Sequence, residues 1–252
     1  MNRSRGIKLK ELPRTRYARI LTYPTSDPSL ADTRIKELAA IGVTAICFNG
    51  PTLIEGVPVL GKGCVGIVTQ AIIEGERVAL KMRRSDADRP SMSEEARLLR
   101  LANAVEVGPR LITATRNLIA MELVEGIPLF RWAEAAGVRQ RTVKHVMSHL
   151  LDACFRLDAV GLDHGELSHA PRNVLISHDV EPCIVDFESA SMVRRVANVT
   201  SLLQYFLFGS LSKTIHSSKM FPARRRILNA LAEYKQEGSI ESYEHLLQAL
   251  EL

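Results

Sequence analysis

Two carboxylates and an amide with the makings of a metal and proton-transfer site fall within one stretch of this 252-residue chain. They are Glu166 in His164-Gly165-Glu166-Leu167, Asn173 just beyond it, and Asp186 in Asp186-Phe187-Glu188. Oxygen donors of this kind suit a hard divalent cation such as Mg²⁺, and a remaining carboxylate can accept or orient a hydroxyl proton. Upstream, Lys81 ends the apolar run Val78-Ala79-Leu80-Lys81 and offers a point charge to phosphate. Gly61-Lys62-Gly63-Cys64-Val65-Gly66 satisfies G-x-G-x-x-G, with Gly61, Gly63 and Gly66 small enough for backbone N–H groups to approach phosphate oxygens. In this order, turn, lysine, acid, amide and second acid are the parts of a phosphoryl-transfer site. Each has a plainer reading alone: a hairpin turn, a surface lysine, a surface loop ending in a turn asparagine, a buried strand ending in Asp-Phe.

The elements that must position these residues follow from the apolar pattern. A helix is expected from Leu30 to Ala40, capped by Asp32 or Ser29 and ended by Gly42, then a strand from Thr44 to Phe48. Strands follow at Leu53 to Leu60, Val65 to Ile73 and Arg77 to Met82, the last two joined at Glu74-Gly75-Glu76. The β-forming Ile67 to Ile73 argues against a dinucleotide turn, which needs a helix directly after its glycines. Ser91 and Glu94 have capping-box spacing before a helix through Leu98, Leu99 and Leu101, and two strands then run over Leu111 to Ala114 and Leu118 to Val124.

From there the period changes to 3.6. Val138 to Val160 is an amphipathic helix whose stripe is Val143, Val146, Met147, Leu150, Leu151, Cys154, Leu157 and Val160, ended by Gly161. Short strands at Val174 to Ile176 and Cys183 to Val185 flank the acidic motifs, and helices occupy Val199 to Phe208, Ala223 to Glu237 and Glu241 to Leu250. Strands first and helices afterwards predict an α+β chain rather than alternating α/β.

Composition narrows the class. At 46% hydrophobic content the chain can bury one large core or two lobes. Cys47, Cys64, Cys154 and Cys183 are scattered without a C-x-x-C pair, which fits reduced thiols in a cytoplasmic protein. No apolar run reaches membrane-spanning length, and the N-terminus lacks a signal-peptide core. The formal net charge is +5, and Arg3, Arg5, Lys8, Lys10, Arg14, Arg16 and Arg19 face only Glu11 within the first nineteen residues. That run reads first as a solvated, partly disordered tail, and second as a non-specific contact for RNA or another polyanion.

These motifs together resemble the atypical protein kinases of the RIO type and the small KEOPS-complex kinases of archaea and bacteria. The resemblance covers roughly residues 52 to 208. His164-Gly165-Glu166-Leu167-Ser168 is similar to their H-G-D-L-S form, and Glu95-Ala96-Arg97-Leu98-Leu99 to the helix whose glutamate pairs with the phosphate-binding lysine. Ile119 to Gly126 looks like the inter-lobe hinge, with Met121 at the gatekeeper position and Glu122 and Val124 lining the nucleotide site.

The resemblance implies a two-lobe protein-kinase-like fold with an antiparallel small-lobe sheet and a mostly helical large lobe. Residues 1–51 would be an N-terminal extension with a basic arm and one helix, in the place where RIO-type kinases can carry a winged helix. The small lobe would span 52–124 and the compact large lobe 125–252. It implies ATP and Mg²⁺ as cofactors, Lys81 and Glu95 on the phosphates, Asn173 and Asp186 on the metal, and Glu166 as catalytic acid/base.

Several positions depart from the pattern. Glu166 stands where Asp is usual, Ser168 replaces a lysine, and Glu188 replaces a glycine. The interval from Glu166 to Asn173 is two residues longer than in H-R-D-L-x-x-x-N. An A-P-E segment is missing, which leaves little room for a peptide groove. The expected function is an ATP-dependent phosphotransferase, either an atypical Ser/Thr protein kinase or an ATPase, acting on a protein or RNA-associated acceptor. The alternatives are a pseudokinase or nucleotide-binding interaction module, and a small-molecule kinase, which the short C-terminal part disfavours.

Overall fold

The computed structural model describes residues 6–135, 138–169, 172–209, 211–215, 220–221 and 223–252. The chain divides into two compact units, one made of residues 1–100 and 110–123, the other of 101–109 and 124–252. Every strand pairing among the described residues is antiparallel. The fold class is therefore α+β: one unit is built on an antiparallel sheet, the other is largely helical.

The first unit is organised by two long strands, β6 (Gly66–Ile73) and β7 (Glu76–Arg83), paired from Gly66↔Arg83 to Ile73↔Glu76. Glu74 and Gly75 make their turn with φ of 52° and 85°, the left-handed pair a two-residue hairpin requires. β9 (Leu118–Glu122) lies on the far side of β7, and β8 (Leu111–Ala114) closes that edge. β6's other edge is shared by β5 (Gly61–Lys62) and β2 (Val43–Cys47), and β1 (Ile7–Lys8) pairs with β2. The apolar side holds Ile46, Ile67, Ala71, Leu80, Met82, Leu118 and Ala120 in one cluster with Leu12, Ile20, Leu21 and Leu38.

Several expectations for this unit need correcting. The apolar stretch from Leu53 to Leu60 is not one strand but a hairpin, β3 (Thr52–Ile54) and β4 (Val57–Val59), because Glu55 and Gly56 turn with φ of 48° and 77°. α1 runs Pro28–Ala40, and its cap is Asp27, whose side chain accepts from Ser29 N at 2.9 Å and Leu30 N at 3.3 Å. The basic N-terminal run is no free tail where it is described: 3₁₀ turns at Leu12–Arg14 and Arg16–Thr22 bury Leu12, Ile20 and Leu21. Lys8, Lys10, Arg14 and Arg16 stay exposed and Arg19 pairs with Glu55 at 3.0 Å, whereas Arg3 and Arg5 lie outside the described residues. The winged-helix expectation also finds no counterpart, since α1 is the single α-helix described before β2 and β2 extends the sheet.

α1 is riveted to the sheet by Arg34, a fully buried side chain. Its guanidinium donates to the carbonyls of Asn117 at 3.2 Å and Arg83 at 3.0 Å, while Glu37 accepts from Asn117 N at 3.1 Å and from the Thr115 hydroxyl. Burial lowers the Arg34 pKa to about 10, with Glu37 opposing the shift, so the group stays charged at neutral pH. α2 (Ser93–Ala104) follows, with Ser91 Oγ accepting from Ser93 N at 3.4 Å. The expected Glu94 half of a capping box is replaced by a pairing with Arg97 at 2.7 Å.

In the second unit, β10 (Gly126–Pro128), β11 (Val174–Ser177) and β12 (Pro182–Ile184) form a small sheet in that order. α3 (Leu129–Glu134) follows β10; neither element is legible as a separate run in the sequence. α4 (Gln140–Ala159) buries the expected stripe through Leu157, but Val160 is 39% exposed because the helix has already ended. Gly161, at φ 74°, reverses the chain and lets Leu162 N reach Leu157 O at 3.0 Å.

α5 (Asn198–Phe208), α6 (Leu211–Thr214), α7 (Arg224–Glu237) and α8 (Ile240–Leu250) complete the described helices. Phe155 of α4 stacks on Tyr243 of α8 at 4.3 Å, and two phenols anchor the helices: Tyr243 donates to Asp152 at 2.6 Å, Tyr234 to Asp158 at 2.9 Å. No described helix is long and apolar enough to cross a membrane.

Candidate functional site

Lys81 stands on β7 opposite Val68 of β6 and Ile119 of β9, with sheet on both sides. Its ammonium meets Glu95 Oε1 at 2.7 Å, with only 3% of the Lys81 and 7% of the Glu95 side chain exposed. Glu95 sits in the first turn of α2 and its neighbour Glu94 faces solvent with Arg97, so the pair selects Glu95. An ion pair this dry holds only if both charges remain, because removal of either strands the other in low dielectric.

The glycine turn is built against that lysine. Gly63 N donates to Gly66 O at 2.8 Å, which closes the Gly63-Cys64-Val65 turn between β5 and β6. A Cβ on Gly66 would stand 2.8 Å from Lys81 Cε and 2.9 Å from Cγ, so the absent side chain makes room for the lysine stem. At Gly61 a Cβ would meet nothing within 4 Å, so packing does not demand glycine there. Glu122, at the end of β9, exchanges hydrogen bonds with the Arg110 backbone, N to O at 2.9 Å and Oε2 from N at 3.2 Å. Val124 is the first residue beyond that unit.

In the second unit the β11–β12 register places the acidic residues. Val174 pairs with Ile184, so Asn173 lies beside Val185, whose N–H donates to Asn173 O at 2.8 Å, and Asp186 comes next. Asp186 adopts φ 68° and ψ 78°, a left-handed conformation that is strained for a residue with a Cβ. Asn173 is buried, and its Nδ2 donates to Glu166 Oε2 at 2.9 Å. Ser189 Oγ donates to the other oxygen, Glu166 Oε1. These two bonds, Ser189's first, hold the Glu166 carboxyl below its usual pKa, against partial burial and the neighbouring Asp186 charge. Of the long connection, Ala170 and Pro171 lie outside the described residues; Ser168 and Arg172 are exposed.

His164 has no exposed surface and is a scaffold residue. Its Nε2 is 3.1 Å from Val185 O, and its ring meets Phe187 edge-on at 5.0 Å. Burial keeps its pKa low, so the ring is neutral; Nε2–H donates to Val185 and Nδ1 carries no proton. Phe187 is itself buried against Gly108, where a Cβ would come within 2.7 Å of the ring.

Residues that sequence reasoning missed hold this loop in place. Asn198, at the start of α5, accepts from His164 N at 2.8 Å and donates to Leu162 O at 2.7 Å and Asp158 Oδ1 at 2.8 Å. Asp163 accepts from Arg194 Nε and from Ala197 N, the latter at 3.0 Å. Arg194 lies over Gly165, where φ is 86° and a Cβ would fall 2.2 Å from Nη2. No local motif marks Ser189, Arg194 or Asn198; only their positions after the acidic run could have suggested them.

The RIO domain matches residues 74–204, just over half of the 252-residue chain. No curated protein matches it. The matched segment contains Lys81, Glu95, Glu166, Asn173 and Asp186, and begins after the glycine turn. The chain belongs to the RIO domain family, a family of atypical kinases and ATPases.

Proposed function

We propose that the protein is a Mg²⁺-dependent ATP phosphotransferase, an atypical Ser/Thr kinase or ATPase. The observation that carries this reading is the buried Lys81–Glu95 pair, since a dry ion pair costs desolvation that hydrophobic packing would avoid. Lys81 would hold the phosphates, the Gly61, Gly63 and Gly66 turn would cover them, and the Glu122 and Val124 backbone would receive the base. Asn173 and Asp186 fit Mg²⁺ by donor chemistry, an amide oxygen and a carboxylate on adjoining positions of one hairpin. When bound, the ion would supply charge neutralisation at the phosphates.

Glu166 would orient the acceptor hydroxyl and accept its proton. Its lowered pKa keeps it ionised at neutral pH, as that role requires. One observation favours a second reading, a nucleotide-binding pseudokinase: both Glu166 oxygens already accept hydrogen bonds, from Ser189 and Asn173. The experiment that decides is γ-phosphate release and transfer by purified protein with and without Mg²⁺. Turnover that needs Mg²⁺ and Glu166 supports the enzyme. Binding of MgATP without turnover above background supports the pseudokinase, and no binding at all removes both.

A further inference from the structure

His145 and His149 lie one turn apart on α4, and Glu181, in the turn between β11 and β12, reaches both. His149 Nδ1 is 2.9 Å from Glu181 Oε2, and His145 Nε2 is 3.4 Å from Oε1. One donor atom from each of the three side chains can be chosen so that all lie within 4.8 Å of one another. The imidazole rings stand 4.1 Å apart, tilted by 52°. We propose that these residues form a binding site for a divalent transition metal, zinc foremost, separate from the nucleotide chemistry.

The donor set decides the metal class. Two imidazoles and one carboxylate suit zinc, copper or nickel, whereas Mg²⁺ prefers oxygen alone. With zinc–ligand bonds of about 2.0–2.2 Å, ligand atoms around a tetrahedral ion stand about 3.3 Å apart. The His145–Glu181 separation of 3.4 Å matches that edge, and side-chain rotation would have to draw in the remaining donor atoms, which lie within 4.8 Å of one another.

The backbones are fixed in advance. An i, i+4 pair shares one helix face, and the Glu181 turn is closed by Ser177 N to Glu181 O at 2.9 Å and Glu181 N to Ser177 Oγ at 3.1 Å. All three side chains are 43–55% exposed, so water can supply the fourth ligand. His149 and Glu181 also line an open cleft of about 370 Å³ with Glu106, Gly108, Asp152 and Arg156, which leaves room beside the ion for a small coordinating anion. Such a metal would join α4 to the hairpin that carries Asp186.

The test is titration of chelator-treated full-length protein with zinc and with cobalt, in wild type, His145→Ala and Glu181→Gln. One equivalent should bind the wild type, and each substitution should weaken that binding at least about tenfold. Cobalt should give visible d–d bands without the near-ultraviolet thiolate charge transfer that a cysteine site would show. The variants change exposed side chains, so their unliganded melting temperatures should match the wild type, and MgATP binding should persist. Equal zinc affinity in all three proteins, a thiolate signature, or no binding below millimolar zinc would each overturn the site.

Discussion

Asn173 donates to Glu166 at 2.9 Å across a connection two residues longer than the usual kinase spacing, so the extra length is absorbed without separating amide from acid. The β11–β12 register fixes Asn173 independently of that loop, through Val185 N. Ser189 holds the other oxygen, so both oxygens of Glu166 are oriented.

Replacement of Glu166 by Ala should lower phosphoryl transfer by about 10²–10⁴-fold while MgATP still binds, since loss of a positioned base costs the chemical step. Asp186→Ala should instead remove the Mg²⁺ dependence of binding. Calorimetric nucleotide titration beside phosphate-release kinetics separates the two; loss of nucleotide affinity in Glu166→Ala would count against the role given to it.

Lys81→Met should destabilise the unliganded protein by about 3–5 kcal/mol, because the Glu95 carboxylate is left buried without its cation. The double variant Lys81→Met, Glu95→Leu should recover most of that loss without recovering ATP affinity. Urea denaturation of the single and double variants measures the coupling. Glu94→Gln, whose parent carboxylate pairs on the surface with Arg97, should change stability by less than about 1 kcal/mol.

Gly165→Ala should cost more than about 1 kcal/mol, since φ is 86° and the new methyl meets Arg194 and the Ser189 carbonyl. Turnover should fall with it, because the displaced Arg194 releases Asp163 and Ser189 sits on Glu166. Gly61→Ala, with open space at its Cβ, should leave stability nearly unchanged. Melting temperatures of both variants test the contrast.

The buried neutral His164 gives stability a pH dependence of known sign. Its folded pKa is lowered from 6.5 by burial, so below that value the unfolded chain takes up a proton that the folded chain refuses. Stability from this group is complete above about pH 6.5 and is lost as pH falls toward the folded pKa, at a slope of at most about 1.4 kcal/mol per pH unit. His164→Gln should flatten the decline between pH 7 and 5 in urea titrations. An unchanged slope would show that other groups govern it.

Much of this architecture can be read from pattern. The β-branched run at Ile67–Ile73, the turn at Glu74-Gly75 and the 3.6-residue stripe from Val143 to Leu157 each carry their own period, and each element formed where that period places it. The hairpin at Thr52–Val59 escaped because one apolar run concealed the turn, and Glu55 in a left-handed conformation has no distinctive sequence mark. The anchoring of residues 9–22 escaped because charged side chains are interleaved with the apolar ones and hide any period, although Leu12, Ile20 and Leu21 are buried and hold the segment to the core. Around the acids, types and order were legible, but Asn198 and Arg194 were not, since their value lies in contacts made 31 and 34 residues away.

The family resemblance begins at Glu74, and β6, the strand at the middle of the sheet, ends at Ile73. A fragment cut to the recognised limits would keep Lys81, Glu166, Asn173 and Asp186, yet leave β7 with a raw edge along its whole length. It would also discard the helix that plugs the Asn117 and Arg83 carbonyls through Arg34. The recognisable segment and the compact unit part company here: the segment holds Lys81, Glu166, Asn173 and Asp186, and the residues before it cover a strand edge that would otherwise be open to pairing with another chain. Fragments intended for biochemistry should start before Ile7.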